Sequence, residues 1–404
     1  MITDKQKIEE ILTRGVENIY PDRKTFEDVL LSGKKLKIYC GIDPTGKLHI
    51  GHAGPMIKLR QLQDLGHEII VLIGDFTATI GDPTGKSKTR KILTRKEVLR
   101  NAKSYKKLIG KILDLRKSNV RFLNNEKWTN KLKPADLLEI ARNFTVSRLL
   151  ERDMFQERIK AGEEISLQEF FYPVLQAYDS VTMDVDMEVG GNDQTFNMLA
   201  GRTLMRKMKN KEKFVLTTKL LVDPTGKKMG KSEGNMINLD DNPQDMFGKI
   251  MSWPDSLVGL ALELCTRMPI TEVSEIMRLP NPRDQKAGLA KEIVKMYHGE
   301  KEAVKAEEEF DKVFRNKELP SDMPVFTADK KEYFVLDLLV EAGLALSKNE
   351  AKRLVEGGAV YVMKIANVAD ISYERIVDWK EKVDVWDGMV IKVGSRRFTT
   401  IRIK

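Results

Sequence analysis

Two histidines stand three apart in "KLHIGH", at His49 and His52, and the chain holds only four histidines. Imidazoles at that spacing can share a metal or donate hydrogen bonds to an anion. Cys40 is near, but no HExxH pattern and no Cys or His cluster completes a metal set, so no tightly bound metal is expected. Gly51, between the histidines, allows a ligand to approach the backbone where a helix begins, and a helix N-terminus favours phosphate. The pair therefore reads as donors that meet phosphate oxygens as charge develops in a transition state.

Cations of the right kind lie elsewhere. "KKMGKSEGN" spaces Lys228 and Lys231 three apart around Gly230, a flexible loop suited to neutralising a polyphosphate. "GKSKTR" offers Lys86, Lys88 and Arg90. It falls short of a P-loop, because Gly81 is one residue too close and Ile80 stands where the first glycine belongs. Both basic segments follow the pentapeptide DPTGK, which occurs at 43–47, 82–86 and 223–227. Its surroundings and spacings differ, so it is a recurring turn rather than a repeat: Pro sets φ, Asp bonds its own backbone and Gly permits positive φ.

A fourth stretch, "FFYPVLQAYDS", sets Tyr172, Gln176 and Asp179 at i, i+4 and i+7 on one helical face, flanked by Phe170, Phe171, Val174 and Leu175. A polar stripe on a half-buried helix needs partners, and a ligand bearing an amino group and a hydroxyl would supply them.

The elements that must position these groups alternate in type. "LKIYCGI" (36–42), "EIIVLIGD" (68–75), "NVRFLN" (119–124) and "KFVLTTKLLV" (213–222) read as strands, "MEVGGNDQ" (187–194) as a strand turning into a helix, and "MIKLRQLQDLG" (56–66) as a helix ended by Gly66. Thr94 and Glu97 have capping-box spacing. Helical patterns run from Pro134 to about Met183, with a break near Gly162. The expectation is a doubly wound parallel sheet, a Rossmann-like α/β domain over 1–240. From 241 to 328 the pattern is helical, "RNKELPSDMPVFTADKK" (315–331) reads as a linker, and 333–404 reads as a small α+β module.

At 404 residues the chain is long enough for two or three domains. A net charge of +9, with 32% charged residues, fits a polyanionic partner or merely a soluble surface. Cys40 and Cys265 stand far apart outside any CxxC pattern, which speaks for a reducing compartment. "MITDKQKIEEILTRG" lacks the apolar core of a signal peptide, and no apolar run approaches the roughly 20 residues of a membrane span. The expectation is a cytoplasmic protein without a membrane partner.

HIGH near residue 50 with KMGKS near residue 230 resembles the paired signatures of class I aminoacyl-tRNA synthetases. "YCGIDPT", "IGDPTGK", "YPVLQAYD" and "GGNDQ", in this order over nearly the whole chain, resemble the bacterial-type tyrosyl-tRNA synthetases, closer to their second subtype. The module from about Tyr333, with "LSKNEAKRLVEGGAVYV", resembles the S4-like RNA-binding domain.

The resemblance implies an enzyme that activates tyrosine with ATP and Mg2+ and charges tRNA(Tyr), as a homodimer. It implies that Tyr39 and Asp179 bond the substrate phenol, and that Asp82, Tyr172 and Gln176 hold its ammonium group. Gly41, Asp43, Gly51, Gly191, Asp193 and Gln194 would line the ATP side, with Asp193 on the ribose. Thr45, His49 and His52 would act on the triphosphate. Lys86, Arg90, Lys228 and Lys231 would clamp the leaving pyrophosphate, Lys231 serving ATP binding as well.

Some positions depart from the family pattern. The Thr45–His49 segment is shorter than in the commonest bacterial form. Gly230 replaces the usual Ser, "GGNDQTFN" lacks a frequent tryptophan, and "MKIANVAD" replaces an Asn-Gly turn. Three other readings stay open at this point: a tryptophanyl-tRNA synthetase, a small-molecule nucleotidyltransferase, and an inactive synthetase-like RNA-binding protein. Tyr39 with Asp179 speaks against the first, since an indole offers one donor and no acceptor. The helical and S4-like parts speak against the second. Intact His49, His52, Lys228 and Lys231 speak against the third.

Overall fold

The computed structural model describes residues 1–404 except 83–92, 223–235, 316–318, 321–322, 368–369 and 395–396. The chain forms two compact units, Met1–Ala306 and Glu307–Lys404.

The first unit is built on six strands, β1 (Val16–Tyr20), β2 (Lys37–Ile42), β3 (Glu68–Ile73), β4 (Val120–Asn124), β5 (Met187–Gly191) and β6 (Phe214–Thr218). Their order is β1-β6-β5-β2-β3-β4. All neighbours are parallel except β1, which runs antiparallel to β6. β2 to β6 are the strands expected from sequence. They read as near-continuous apolar runs because helices cover both faces of a parallel sheet. β1 is the strand that the periodicity does not announce. "VENIY" is short and only partly buried, and its pairing with β6, Tyr20 opposite Val215, makes it a strand.

From β2 the winding proceeds to β3 and β4 on one side, then returns to β5 and β6 on the other. The reversal between β2 and β5 opens a crevice at the strand carboxyl ends. The helix Ala53–Leu65 joins β2 to β3 and ends at Gly66, whose φ of 102° suits glycine. The chain from β4 to β5 runs through Pro134–Ala141, Val146–Leu150, Asp153–Lys160 and Leu167–Met183. The last opens on a Ser166–Glu169 capping box and packs against Thr195–Lys209.

The helices after β6, Pro243–Met251, Val258–Cys265, Ile270–Met277 and Pro282–His298, belong to this first unit. Arg14 ties them to the N-terminus. Its guanidinium, 5% exposed, donates to the carbonyls of Leu262 at 3.0 Å, Glu263 at 3.0 Å, Thr266 at 2.9 Å and Met268 at 2.6 Å. It thus satisfies the carbonyls that the end of Val258–Cys265 leaves open.

The second unit carries β7 (Val325–Ala328), β8 (Glu332–Phe334), β9 (Val360–Asn367), β10 (Asp370–Arg375), β11 (Lys382–Asp384), β12 (Val390–Val393) and β13 (Arg397–Ile403). Five form a sheet in the order β10-β9-β12-β13-β7, and β11 pairs with β8. The helices Val335–Glu341 and Lys348–Glu356 close its core through Leu338, Leu339, Ala351 and Val355. The linker expected at 315–331 contains β7, because parallel pairing of Val325–Ala328 with β13 satisfies backbone groups that the sequence pattern leaves unassigned. Among the described residues no helix is long and apolar enough to cross a membrane.

Arg14→Ala is expected to lower unfolding free energy by about 2–4 kcal/mol, because it removes at once the donor shared by four carbonyls, that of Thr266 among them in a buried contact. Urea denaturation checks this, with Arg14→Lys recovering only part. An unchanged midpoint would show that the guanidinium does not tie these segments together.

Candidate active site

A cleft of about 820 Å3 opens at the carboxyl ends of β2 and β5. Fourteen residues singled out from sequence line it: Tyr39, Gly41, Asp43, Thr45, His49, Gly51, His52, Asp82, Tyr172, Gln176, Asp179, Gly191, Asp193 and Gln194. Lys86, Arg90, Lys228 and Lys231 lie outside the described residues, as do 83–86 of the second DPTGK and the whole third copy.

At the phosphate-binding candidates, a 3-10 turn over Ile50–His52 leads straight into Ala53–Leu65. His52 Nδ1 lies 3.2 Å from the His49 amide, and the two rings stand 4.1 Å apart. A Cβ on Gly51 would come within 3.1 Å of the His49 ring, so glycine here lets the imidazole fold over the backbone. The segment is pinned from two sides. Ile50 donates to the Ile237 carbonyl and Leu239 to that of Leu48, both at 2.9 Å. Asn101 Nδ2 donates to the Pro44 carbonyl at 2.9 Å and the Tyr105 hydroxyl to that of Gly46 at 2.7 Å, which holds the first DPTGK turn.

At the opposite end, buried polar groups form a chain. Asp179 is 2% exposed, and accepts from Trp128 Nε1 at 2.8 Å and Asn125 Nδ2 at 3.2 Å. Asn125 Nδ2 also donates to Thr77 Oγ1 at 3.1 Å, whose hydroxyl donates to Asp43 Oδ1 at 2.7 Å. Asp43 Oδ2 accepts from the Tyr172 hydroxyl at 2.9 Å. Gly74 makes room for this carboxylate, since a Cβ there would stand 2.0 Å from Asp43 Oδ1. The Tyr39 hydroxyl meets Ser180 Oγ at 2.9 Å, and Gln176 Nε2 donates to Glu188 Oε1 at 3.1 Å. Gln194 Nε2 donates to Asp82 Oδ2 at 2.7 Å, and the buried Arg152 guanidinium lies 3.8 Å from Asp82.

Burial pushes the Asp179 carboxyl up to about 8, against the pull of the Trp128 and Asn125 hydrogen bonds, and the nearby Glu188 and Asp43 charges add to the rise. Burial likewise raises the Tyr39 phenol well above its ordinary value.

The sequence reading missed Asn125, Trp128, Thr77, Arg152 and Glu188. Each looks ordinary in its own segment, and only Glu188 sits in a stretch quoted as a motif. Among the described residues no group of three His, Cys, Asp or Glu side chains could hold a metal ion.

A family model described as "tRNA synthetases class I (W and Y)" matches residues 31–315, and one described as "Tyrosine--tRNA ligase SYY-like C-terminal domain" matches 316–401. The chain is 43% identical over 401 residues to the "Tyrosine--tRNA ligase" of Moorella thermoacetica, covering 97% of this chain and 94% of the relative. It is 44% identical over 398 residues to that of Thermotoga maritima, covering 97% and 96%. A C-terminally truncated mitochondrial tyrosyl-tRNA synthetase from Aspergillus nidulans superposes with a TM-score of 0.65 at 26% identity, over 77% of this chain and 95% of the other.

A test of the electrostatics does not depend on function. The Asp179 carboxyl has an ordinary value of 3.8 and a folded value of about 8. Between the two, the folded state keeps a proton that the unfolded chain has released, so stability falls as pH rises through that window. Asp179→Asn lacks this titration. Urea unfolding at about pH 5 and about pH 8 is expected to show wild type losing stability relative to the variant by a few kcal/mol. Parallel pH dependence in both would place the Asp179 carboxyl in its ordinary range.

Proposed function

The chain belongs to the tyrosine–tRNA ligase family of the class I tRNA synthetases, and from that premise we propose how its residues activate tyrosine and pass it to tRNA. The activity is the ATP-dependent attachment of tyrosine to tRNA. One observation carries the assignment of roles: the fourteen candidate residues share one cleft, with a buried carboxylate at one end and two imidazoles at the other.

Tyr39 and Asp179 recognise the phenol hydroxyl of tyrosine. Phenylalanine would leave both polar groups without a ligand partner, and tryptophan brings no hydroxyl to them. Asp82, Tyr172 and Gln176 take the ammonium group. Gly41, Asp43, Gly51, Gly191, Asp193 and Gln194 line the adenosine side, where a Cβ on Gly191 would crowd Asp193 Oδ1 at 2.6 Å.

The tyrosine carboxylate, ionised at neutral pH, attacks the α-phosphorus in line. Thr45, His49 and His52 donate to the triphosphate as charge moves onto it. Lys86, Arg90, Lys228 and Lys231 receive the pyrophosphate, and Lys231 also binds ATP. No general base is needed, and the protein's contribution is positioning and charge stabilisation. Magnesium bound to ATP supplies further charge neutralisation. The terminal ribose hydroxyl of tRNA then attacks the mixed anhydride and releases AMP.

Three further assignments complete the reading. Leu138, Val146, Ile159 and Leu167, on four successive helices between β4 and β5, hold large apolar side chains out to solvent. That exposure supports a homodimer. Lys352 and Lys380 lie 4.4 Å and 5.1 Å from the Trp379 ring, and Lys382 lies 5.3 Å from Phe334. Cations beside aromatic faces suit phosphates with stacked bases, which supports RNA binding by residues 333–404. Residues 241–328 then serve the anticodon side of tRNA. The compartment is cytoplasmic.

Purified protein is expected to exchange pyrophosphate into ATP with tyrosine and not with tryptophan. Asp179→Ala is expected to cut kcat/KM for tyrosine by about two orders of magnitude or more with KM for ATP nearly unchanged. Equal loss for both substrates would remove Asp179 from the phenol site. The combined change Lys352→Glu, Lys380→Glu and Lys382→Glu is expected to weaken tRNA charging and leave exchange intact, which filter binding and exchange assays read separately.

A further inference from the structure

Under the cleft lies a buried ion pair that the roles above do not use. Glu188, on β5, is 2% exposed, and Lys213, just before β6, is fully buried. The Lys213 ammonium donates to Glu188 Oε2 and, at 2.9 Å, to Ser180 Oγ. It lies 5.6 Å from the centre of the Tyr39 ring. Space for it is made on a third element. A Cβ at Gly201, in the helix Thr195–Lys209, would stand 2.5 Å from the Lys213 nitrogen and 2.9 Å from Ser180 Oγ.

Stability does not account for such a pair. Both charges lose their hydration, and apolar side chains of similar volume often serve a core as well or better. The second oxygen of Glu188 points to another purpose. Its Oε1 accepts from Gln176 Nε2 at 3.1 Å. A carboxylate paired with an ammonium group can only accept, so the end of the Gln176 amide that faces it must be the NH2 end. The carbonyl oxygen is then left for the cleft that Gln176 and Glu188 both line. Without that carboxylate the amide could present either end.

We propose that the Glu188–Lys213 pair is a positioning device that locks the Gln176 amide with its carbonyl oxygen toward the cleft, making it an acceptor for the ammonium group of the amino-acid substrate. This rests on the reading of Gln176 as an ammonium contact. Glu188 holds the amide by one oxygen. Lys213 holds the other oxygen, balances the charge, and keeps the carboxylate from swinging into the cleft to take the ammonium itself. Ser180 joins the same lysine to the Tyr39 hydroxyl, so the phenol and ammonium ends of the site share one anchor.

Two competitive inhibitors of tyrosine-dependent exchange separate the ends of the substrate: tyramine, which keeps the ammonium group, and 3-(4-hydroxyphenyl)propionate, which lacks it. In full-length protein, Glu188→Gln preserves shape and removes the charge. It is expected to raise the inhibition constant of tyramine about tenfold, and that of the desamino compound by less than about twofold. KM for ATP stays unchanged. Glu188→Asp keeps the charge but is one methylene short of Gln176, and is expected to give the same split if the glutamine variant folds poorly. The exchanged pair, Glu188→Gln with Gln176→Glu, again sets an amide donor against a carboxylate, and is expected to bring tyramine back to within about threefold of wild type.

Equal weakening of both inhibitors, or of neither, in the Glu188 variants overturns the proposal. Gln176→Ala tells the two possible failures apart. If it does not discriminate between the inhibitors, the ammonium role of Gln176 falls. If it discriminates while the Glu188 variants do not, only the positioning role falls.

Discussion

The register of β2 against β5 sets Tyr39 opposite Glu188, and the floor of the cleft follows from it. Side chains alternate along a strand, so residues opposed across a parallel pair stand on the same face. One choice of register thus brings a phenol beside a carboxylate, on the face where Leu167–Met183 supplies Gln176, Asp179 and Ser180. A slip of one residue would send Tyr39 to the other side of the sheet and turn Ile38 or Cys40 toward the polar helix face. The apolar runs of β2 and β3, paired residue for residue from Lys37–Glu68 to Ile42–Ile73, hold that register.

Once these groups are brought under the sheet, each must find a partner, because a buried polar atom left alone costs more than a bond returns. The result is a site in which acids are held before any ligand arrives. Trp128 and Asn125 aim Asp179, Thr77 and Tyr172 aim Asp43, and Gln194 with Arg152 brackets Asp82. Dipoles fixed in this way need little reorganisation when charge moves nearby. The same hydrogen bonds leave the Asp179 and Asp43 side chains little freedom to turn.

Much of this was legible in advance. β2 to β6 and the helix stop at Gly66 follow from apolar runs and turn residues, and the Thr94–Glu97 capping box forms as its spacing predicts. His49, His52, Tyr172, Gln176 and Asp179 stand out in the sequence because polar types recur at chemical spacings within one segment. Illegible were the groups whose meaning lies in a distant partner. Lys213 opens the strand pattern "KFVLTTKLLV", where nothing in the letters marks it as a buried charge, yet it is fully buried against Glu188. Arg14 looks like the polar end of an amphipathic helix, yet its acceptors lie about 250 residues on. β1 and β7 are strands because a neighbour pairs with them, not because their own patterns insist on it.

Local order therefore determined the winding of the sheet, the helix ends, and the kinds of side chain available: two imidazoles near residue 50, a polar helix face near 176, and basic sequence after two of the DPTGK pentapeptides. These depend on steric limits and on periodicity, which act over a few residues and can be read from letters. Tertiary structure decided which of those groups share a cleft, which way each carboxylate and amide points, and which charged residue becomes the buried anchor beneath them. Those outcomes depend on strand register and on the pairing of desolvated groups far apart in the chain, and no short stretch of sequence contains both members of such a pair.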